Sequence, residues 1–170
     1  ESRPFYGFGI DVEFKAIAVS EWVPYIQERF AAYQMTIQKE EVSLICRLMR
    51  DVPNAIQELC QWITLEGESG PLDSPRIHRS LAHLIENKSS RYLERLASLS
   101  VKEKRVLTAV ARQEPVIFIT STAFLQATRV SATATKATIL RLTDQGVLDD
   151  SEDGYSITDP LFRLFLVRQC

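Results

Sequence analysis

The sequence predicts a mainly α-helical chain in two parts, with one small β-hairpin near its end. Two observations support this prediction. From residue 20 to residue 99, apolar side chains recur every three or four positions in about five successive segments, which is typical of amphipathic helices. After residue 100, short β-rich runs and a turn signal alternate with the helical segments.

Residues 1–19 are the first predicted region, an extended N-terminal segment. Pro4, Gly7 and Gly9 interrupt any regular pattern there. The chain starts at Glu1 rather than at Met, so we expect it to be a piece of a longer protein. The segment is also rich in aromatic residues, whose rings we expect to pack on the bundle that follows: Phe5, Tyr6, Phe8 and Phe14.

Residues 20–99 are the second predicted region, a helical bundle without a strand pattern. Ser20 is placed to cap the first helix, and Pro53 is the expected first residue of the third. Asp73 before Ser74-Pro75 is a start signal for the fourth. The predicted helices carry apolar residues at helical spacing: Trp22, Ile26, Phe30 and Tyr33; Val42, Ile45, Leu48 and Met49; Ile56, Leu59, Cys60 and Ile63; Ile77, Leu81, Leu84 and Ile85; Tyr92, Leu93, Leu96 and Leu99.

Residues 100–170 are the third predicted region. Ser100 and Glu103 have the spacing of a capping box at the start of a helix. A β-rich run at 116–119 follows, and Ser121 and Ser131 each precede a further helical segment.

The end of the chain adds a hairpin and a last helix. A helix that stops at Gly146 leads directly into Val147 and Leu148, which resume as a strand. Asp153-Gly154 is a turn signal, and Asp159-Pro160 can start the final helix. Helix, short strand, two helices and a hairpin is the order of a winged helix, and we predict that fold for this region. The alternative is a helical domain with an incidental hairpin.

The composition is that of an ordinary globular protein, with 45% hydrophobic and 25% charged residues. Its 20 basic and 22 acidic residues give a net charge of −2, so nucleic-acid binding would need a local basic patch. Three cysteines, Cys46, Cys60 and Cys170, are too few for a disulfide framework and suit a reducing compartment. No signal peptide and no apolar run of ~20 residues occur, so we expect a cytoplasmic protein that does not enter a membrane.

Catalytic and metal-binding motifs are missing from the sequence. It has neither a phosphate-binding Gly-x-x-x-x-Gly-Lys-Ser/Thr loop nor a Gly-x-Ser-x-Gly nucleophile motif. His78 and His83 lie on one predicted helix but point about 140° apart, which makes them poor joint metal ligands. Cys46 and Cys60 are expected core residues. We therefore predict no catalytic residue, no metal ligand and no enzyme activity in these residues alone.

Four stretches, in order and spacing, resemble the C-terminal part of P-loop ATPases of the archaeal-type AAA/STAND group. In that group an ATPase core is followed by a helical lid and a winged helix. The resemblance covers nearly the whole chain and rests on the combination of its four motifs: Arg3-Pro-Phe-Tyr6, Pro53-Asn-Ala-Ile-Gln57, the segment from Leu99-Ser100 to Leu107, and Tyr155-Ser-Ile-Thr-Asp-Pro-Leu-Phe162.

The resemblance implies an ATPase core upstream of Glu1 that binds ATP and Mg²⁺, with no cofactor held by this piece. In the family, a Gly-x-Pro at the start of the lid helix packs its proline against adenine. Pro53 matches that proline, whereas Asp51 stands in place of the glycine. Arg3 follows the expected end of the core, from where it could reach the phosphates. Pro53 is equally explained as a helix-start proline, and Arg3 as a surface residue.

The predicted winged helix has a candidate DNA-reading helix from about Ser131 to Gln145. Its DNA-contact candidates are Arg129, Thr133, Lys136 and Arg141, because hydroxyls and cations contact phosphates and base edges. Thr133, Thr135 and Thr138 equally fit an exposed, solvated face. Between Pro115 and Pro160, however, the three basic residues Arg129, Lys136 and Arg141 are outnumbered by six acidic ones, and this negative charge disfavours DNA binding. The acidic residues are Asp144, Asp149, Asp150, Glu152, Asp153 and Asp159.

The favoured prediction is a regulatory role as lid and winged helix of a P-loop ATPase. Its own upstream core is the main expected partner, and a protein partner through the winged helix is a further one. Two alternatives stay open at this stage. The first is a winged-helix transcriptional regulator that binds DNA. The second is a protein-interaction adaptor without any link to nucleotide.

Overall fold

The computed structural model describes residues 17–169. Arg3, most of the predicted 1–19 segment and Cys170 lie outside the described residues. Elements of the first half are α1 (Val19–Ala31), β1 (Met35–Ile37), α2 (Lys39–Leu48), α3 (Pro53–Leu65), β2 (Gly70–Leu72), α4 (Ser74–Asn87) and α5 (Ser89–Ala97). Those of the second half are α6 (Val101–Gln113), α7 (Thr122–Thr128), α8 (Ala132–Asp144), β3 (Leu148–Ser151), β4 (Gly154–Ile157) and α9 (Pro160–Arg168). The predicted fold class, mainly α with a small hairpin, is confirmed.

The bundle of the first half buries most of the predicted apolar stripes. Pro53 lies in the first turn of α3, as predicted, and the Asp73 carboxylate accepts a 2.9 Å hydrogen bond from the Arg76 backbone N–H at the start of α4. The core of this half consists of residues that are at most 4% exposed and come from five helices and both strands, among them Trp22, Ile26, Phe30, Val42, Ile45, Met49, Ile56, Leu59, Ile63, Ile77, Leu81 and Leu84.

A parallel pair of short strands corrects the prediction that residues 20–99 hold no strand. Met35 pairs with Gly70 and Ile37 with Leu72, and α2 and α3 form the crossover between the two strands. Each strand has three residues, which is too short for apolar alternation to stand out from its surroundings. Pro71 is exposed in β2, where a proline fits because an edge strand leaves one N–H side unpaired.

Arg76 holds the chain that leads into β2, a role that the sequence did not reveal. Its residue is 6% exposed, and its guanidinium donates to the carbonyl oxygens of Glu68, Ser69 and Pro71. Buried arginines are rare unless they are paired. The three carbonyls and the Glu68 carboxylate, 3.4 Å from Arg76 Nε, supply that pairing.

Two details at α1 differ from the prediction. Ser20 does not cap the helix, because α1 begins one residue earlier, at Val19, and Ala18 takes the cap position without a side-chain hydrogen bond. Tyr33 is 57% exposed, because α1 ends at Ala31 and the chain turns toward β1 before the ring could face the core. The helical spacing of Tyr33 is therefore coincidental.

The second half has the winged-helix order that the sequence predicted. Ser100, Ser121 and Ser131 each cap a helix through the side-chain oxygen, and Glu103 completes the capping box on α6. Gly146 has a φ of +65°, which lets the chain leave α8 and enter β3. The hairpin pairs Leu148 with Ile157 and Ser151 with Gly154, leaving a two-residue turn as the tip of the wing.

The β-rich run at 116–119 does not form the predicted strand but makes a single β-bridge. Val116 exchanges backbone hydrogen bonds of 2.9 and 3.0 Å with Tyr155, but no strand continues from it. A Cβ on Gly154 would lie 2.8 Å from the carbonyl carbon and oxygen of Val116, so only glycine permits this approach. Ile117 and Phe118 then turn outward, 60% and 74% exposed.

Candidate functional site

The junction between bundle and winged helix is built around the carboxylate of Glu114, which is 4% exposed. It lies 2.9 Å from Arg50 at the corner between α2 and α3, and 3.0 Å from Arg163 on α9. Its other oxygen accepts a 2.8 Å hydrogen bond from the Ile157 N–H, while Arg50 also donates to the Ile157 carbonyl at 2.9 Å. One carboxylate thus ties together the bundle, the hairpin and the last helix.

A second contact joins the halves at α5 and α9. The Tyr92 hydroxyl donates a 3.1 Å hydrogen bond to Asp159, the residue that also caps α9 through the N–H groups of Leu161 and Phe162. The Tyr92 ring packs 5.0 Å from that of Phe162. Burial, followed by the nearby Asp159 charge, raises the pKa of Tyr92 well above its ordinary value. The hydroxyl therefore stays a donor throughout the physiological pH range.

Pro53 is exposed at the same corner as Arg50. Arg50 and Asp51 both have positive φ, 53° and 56°, between the end of α2 and the start of α3. Residue 51 is where the resemblance to the ATPase group places a glycine, and a left-handed backbone is the conformation glycine adopts at least cost. Asp adopts this conformation at lower cost than most non-glycine residues. Pro53 is presented to solvent together with the side chain of Asp51.

The four DNA-contact candidates lie on the exposed side of the winged helix, but not all are free to act together. Arg129 caps α7 with a φ of 52°, and Thr133 and Lys136 are exposed on α8. Arg141 instead forms a 3.1 Å ion pair with Glu103, whose side chain is 4% exposed, at the start of α6. Arg141 is therefore placed to stabilise the domain, and its role in DNA contact stays a prediction.

Thr135 is the threonine of α8 whose position departs most from the prediction. It was expected on the exposed face, but it is fully buried, at 0% exposed, on the side of α8 that faces the core. Thr133 is exposed and Thr138 half-buried, as the helical spacing from Thr135 requires. The residue type of a threonine does not indicate which face of a helix it occupies, because its hydroxyl suits water and its methyl group suits the core.

Glu103 shows how the capping box and the ion pair act on one carboxylate. It accepts a 2.8 Å hydrogen bond from the Ser100 N–H, and the Ser100 hydroxyl accepts one from Glu103 N–H at 3.3 Å. Hydrogen bonds to the carboxylate from the Ser100 side chain and backbone N–H, and then the Arg141 charge, hold the pKa of Glu103 below its ordinary value despite desolvation. The carboxylate is thus charged at neutral pH.

The wing is acidic on its exposed surface. Tyr155 on β4 is half-buried, and desolvation, followed by the charge and hydrogen bond of Asp150, raises its pKa. Between the wing and α8 lies a groove of about 280 Å³ whose lining is mainly apolar. The acidic residues exposed on the hairpin are Asp149, Asp150, Glu152 and Asp153.

The two histidines have local partners. His78 Nδ1 lies 2.8 Å from the Ser74 carbonyl oxygen, and His83 Nδ1 lies 2.9 Å from a Glu66 carboxylate oxygen. Within residues 17–169, no three His, Cys, Asp or Glu side chains are grouped to hold a metal ion. No helix in the same span combines the length and the apolar character needed to cross a bilayer.

Comparison with known protein families finds a match that covers the second half of the chain and most of α5. Residues 90–168 match the family model described as a probable winged helix domain. The match begins within α5, so it takes in Tyr92 and its contact with Asp159 as well as the helices and the hairpin. No curated protein matches the chain.

The fold of both halves together recurs in a solved structure, the Walker-type ATPase PABY2304 of Pyrococcus abyssi. The two share 18% sequence identity with a TM-score of 0.62, over 85% of this chain and 40% of that one. The winged helix and the bundle before it are therefore arranged as in part of an archaeal ATPase, which confirms the predicted resemblance at the level of fold. The chain spans well under half the length of that protein.

Proposed function

We propose that this chain is the lid and winged helix of a P-loop ATPase and that it regulates nucleotide turnover without catalysing it. The observation that supports this most is that 85% of the chain has the fold of part of a Walker-type ATPase. The described residues offer neither a phosphate-binding loop nor a group of metal ligands. ATP and Mg²⁺ would then be held by residues outside this chain.

The site in this chain that would meet the nucleotide is the corner at Pro53. The proline is exposed in the first turn of α3, so its ring is available to pack against a base. The guanidinium of Arg50, three residues earlier, binds the Glu114 carboxylate and donates a hydrogen bond to the Ile157 carbonyl oxygen of the wing. A shift of the corner on nucleotide binding would therefore act on the winged helix directly, and nucleotide would bias a two-state closure.

The test measures the ATP affinity of the full-length protein that contains these residues, with and without the substitution Pro53→Ala. We expect weaker ATP binding, by about threefold to tenfold, because one face of the base loses its packing partner. Pro75→Ala is the matched control, since Pro75 is also exposed in the first turn of a helix but lies away from the corner. Equal affinities for all three proteins would remove the role of Pro53, and absence of any ATP binding would remove the ATPase proposal.

A further inference from the structure

The groove between α8 and the hairpin lies where a DNA-binding winged helix would present polar and basic side chains. Its floor and walls are instead largely apolar, formed by Ile119, Ile139, Leu140 and the ring of Tyr155. Lys136, Thr143 and Asp150 are the polar residues that also line it. With about 280 Å³, the groove holds one or two large side chains.

Apolar side chains around this groove are exposed to an unusual degree. Leu140 on α8 is 64% exposed although it lines the groove. Ile117 and Phe118, 60% and 74% exposed, directly precede the groove residue Ile119. Single exposed apolar residues are common, but a cluster beside a concave, apolar site indicates a surface for a partner.

Charge then distinguishes between kinds of partner. The exposed acidic side chains of the hairpin adjoin the groove through Asp150, and Lys136 is the one cation among its lining residues. Arg141, the nearest other cation of α8, is paired with Glu103. The acidic hairpin would repel a phosphate backbone. With few cations to replace the counterions of the nucleic acid, this face would gain little binding free energy from counterion release. A cationic partner would be attracted.

We propose that this groove binds a protein segment in which one or two large apolar side chains are flanked by lysines or arginines. The apolar side chains enter the groove against Leu140 and Tyr155. The flanking cations lie over the acidic hairpin, where Asp149, Glu152 and Asp153 are exposed. The proposal does not depend on the ATPase function, since it rests on this surface alone.

The experiment selects binders from a random-peptide library displayed on phage, with the complete 170-residue chain as target. Enriched peptides are then synthesised with a fluorophore, and their affinities are measured by anisotropy at low and moderate salt. Leu140→Asp tests the groove, and Leu93→Asp is the matched control because Leu93 is 52% exposed on α5, outside the groove. Circular dichroism and thermal melting establish that both variants are folded.

A second variant tests charge without touching the groove floor. Glu152→Lys with Asp153→Lys reverses the tip of the wing, and Glu86→Lys with Glu94→Lys reverses two exposed acidic residues on α4 and α5 as a control. We expect enriched peptides to be cationic and to carry large apolar residues. Their affinity should fall about tenfold or more with Leu140→Asp and with the wing reversal, but not with either control.

Several outcomes would overturn the proposal. Enriched peptides that are neutral or acidic would contradict the charge argument, and equal affinity for wild type and Leu140→Asp would contradict the groove. A library that yields no enriched peptide would also contradict it. Short duplex DNA that binds the chain, and loses affinity with Lys136→Ala, would identify nucleic acid as the ligand of this face instead.

Discussion

Glu114 and Arg50 lie 2.9 Å apart, carboxylate oxygen to guanidinium nitrogen, although 64 positions separate them in the sequence. Glu114→Gln should lower the free energy of unfolding by about 1–3 kcal/mol, because the charged acceptor is lost while Arg50, Arg163 and the Ile157 N–H remain in place. Urea unfolding at neutral pH measures the difference. Glu94→Gln, an exposed change on α5, is the control and should have almost no effect.

The same variant should also loosen the junction selectively. Hydrogen exchange of the Ile157 amide should become faster in Glu114→Gln than the loss of global stability explains, since that amide donates directly to Glu114. If the exchange rate follows global unfolding alone, Glu114 acts as a general buried anion rather than as the link between the halves.

Glu103 makes stability depend on pH in the acidic range. Its folded-state pKa lies below the ordinary value of 4.5 through the hydrogen bonds with Ser100 and then the Arg141 charge. The charged carboxylate thus stabilises the fold fully above about pH 4.5, and this contribution is lost as pH falls further through the lowered pKa. Glu103→Gln should lower the free energy of unfolding at pH 7 by about 1 kcal/mol, and the difference from wild type should shrink below pH 4.5.

Urea titrations at a series of pH values measure this difference. Glutamine can keep the hydrogen bond to the Ser100 N–H, so the variant isolates the charge from the capping box. Ser100→Ala removes the cap itself and should cost about 1 kcal/mol at every pH above the transition. A gap between wild type and Glu103→Gln that is the same at acidic and neutral pH would contradict the assignment.

Gly154→Ala should be among the more damaging small substitutions of the wing. The new Cβ would meet the Val116 carbonyl at 2.8 Å, at a residue whose φ is +115°. Either the bridge from Val116 to Tyr155 opens or the hairpin shifts, with an expected loss of about 2–4 kcal/mol in thermal or urea unfolding. Gly67→Ala separates strain from crowding, because Gly67 has a φ of +74° with nothing within 4 Å of its Cβ position. It should cost about 1 kcal/mol, and equal losses for the two variants would show that crowding at Val116 is unimportant.

Local signals in the sequence predicted most of the fold. Serine or aspartate before an apolar-periodic run fixed the starts of α4, α6, α7, α8 and α9, because a cap satisfies backbone N–H groups within three residues. Partners far apart in the chain could not be predicted in this way. The strands β1 and β2 stabilise each other across α2 and α3, and neither is long enough to show a pattern by itself.

The candidate site divides along the same line. Exposure of Thr133 and Lys136 followed from the period of α8, whereas the pairing of Arg141 with Glu103 depends on how α8 packs against α6. Pro53 was placed at the start of α3 by its residue type alone. The groove beside Leu140 was not predicted, because its walls come from α8, the hairpin and the loop before α7, and only the fold brings them together.

The contacts of Arg50 with Glu114 and of Tyr92 with Asp159 limit how this protein could be recombined with others. Ser100 looks like a natural crossover point for chimaeras, since a capped helix starts there. Each half, however, carries one residue of each pair. A chimaera joined at Ser100 would therefore lose both contacts unless the other protein supplied matching residues. Transplanting the winged helix successfully would therefore require carrying along the helix that bears Tyr92 and rebuilding the turn that bears Arg50.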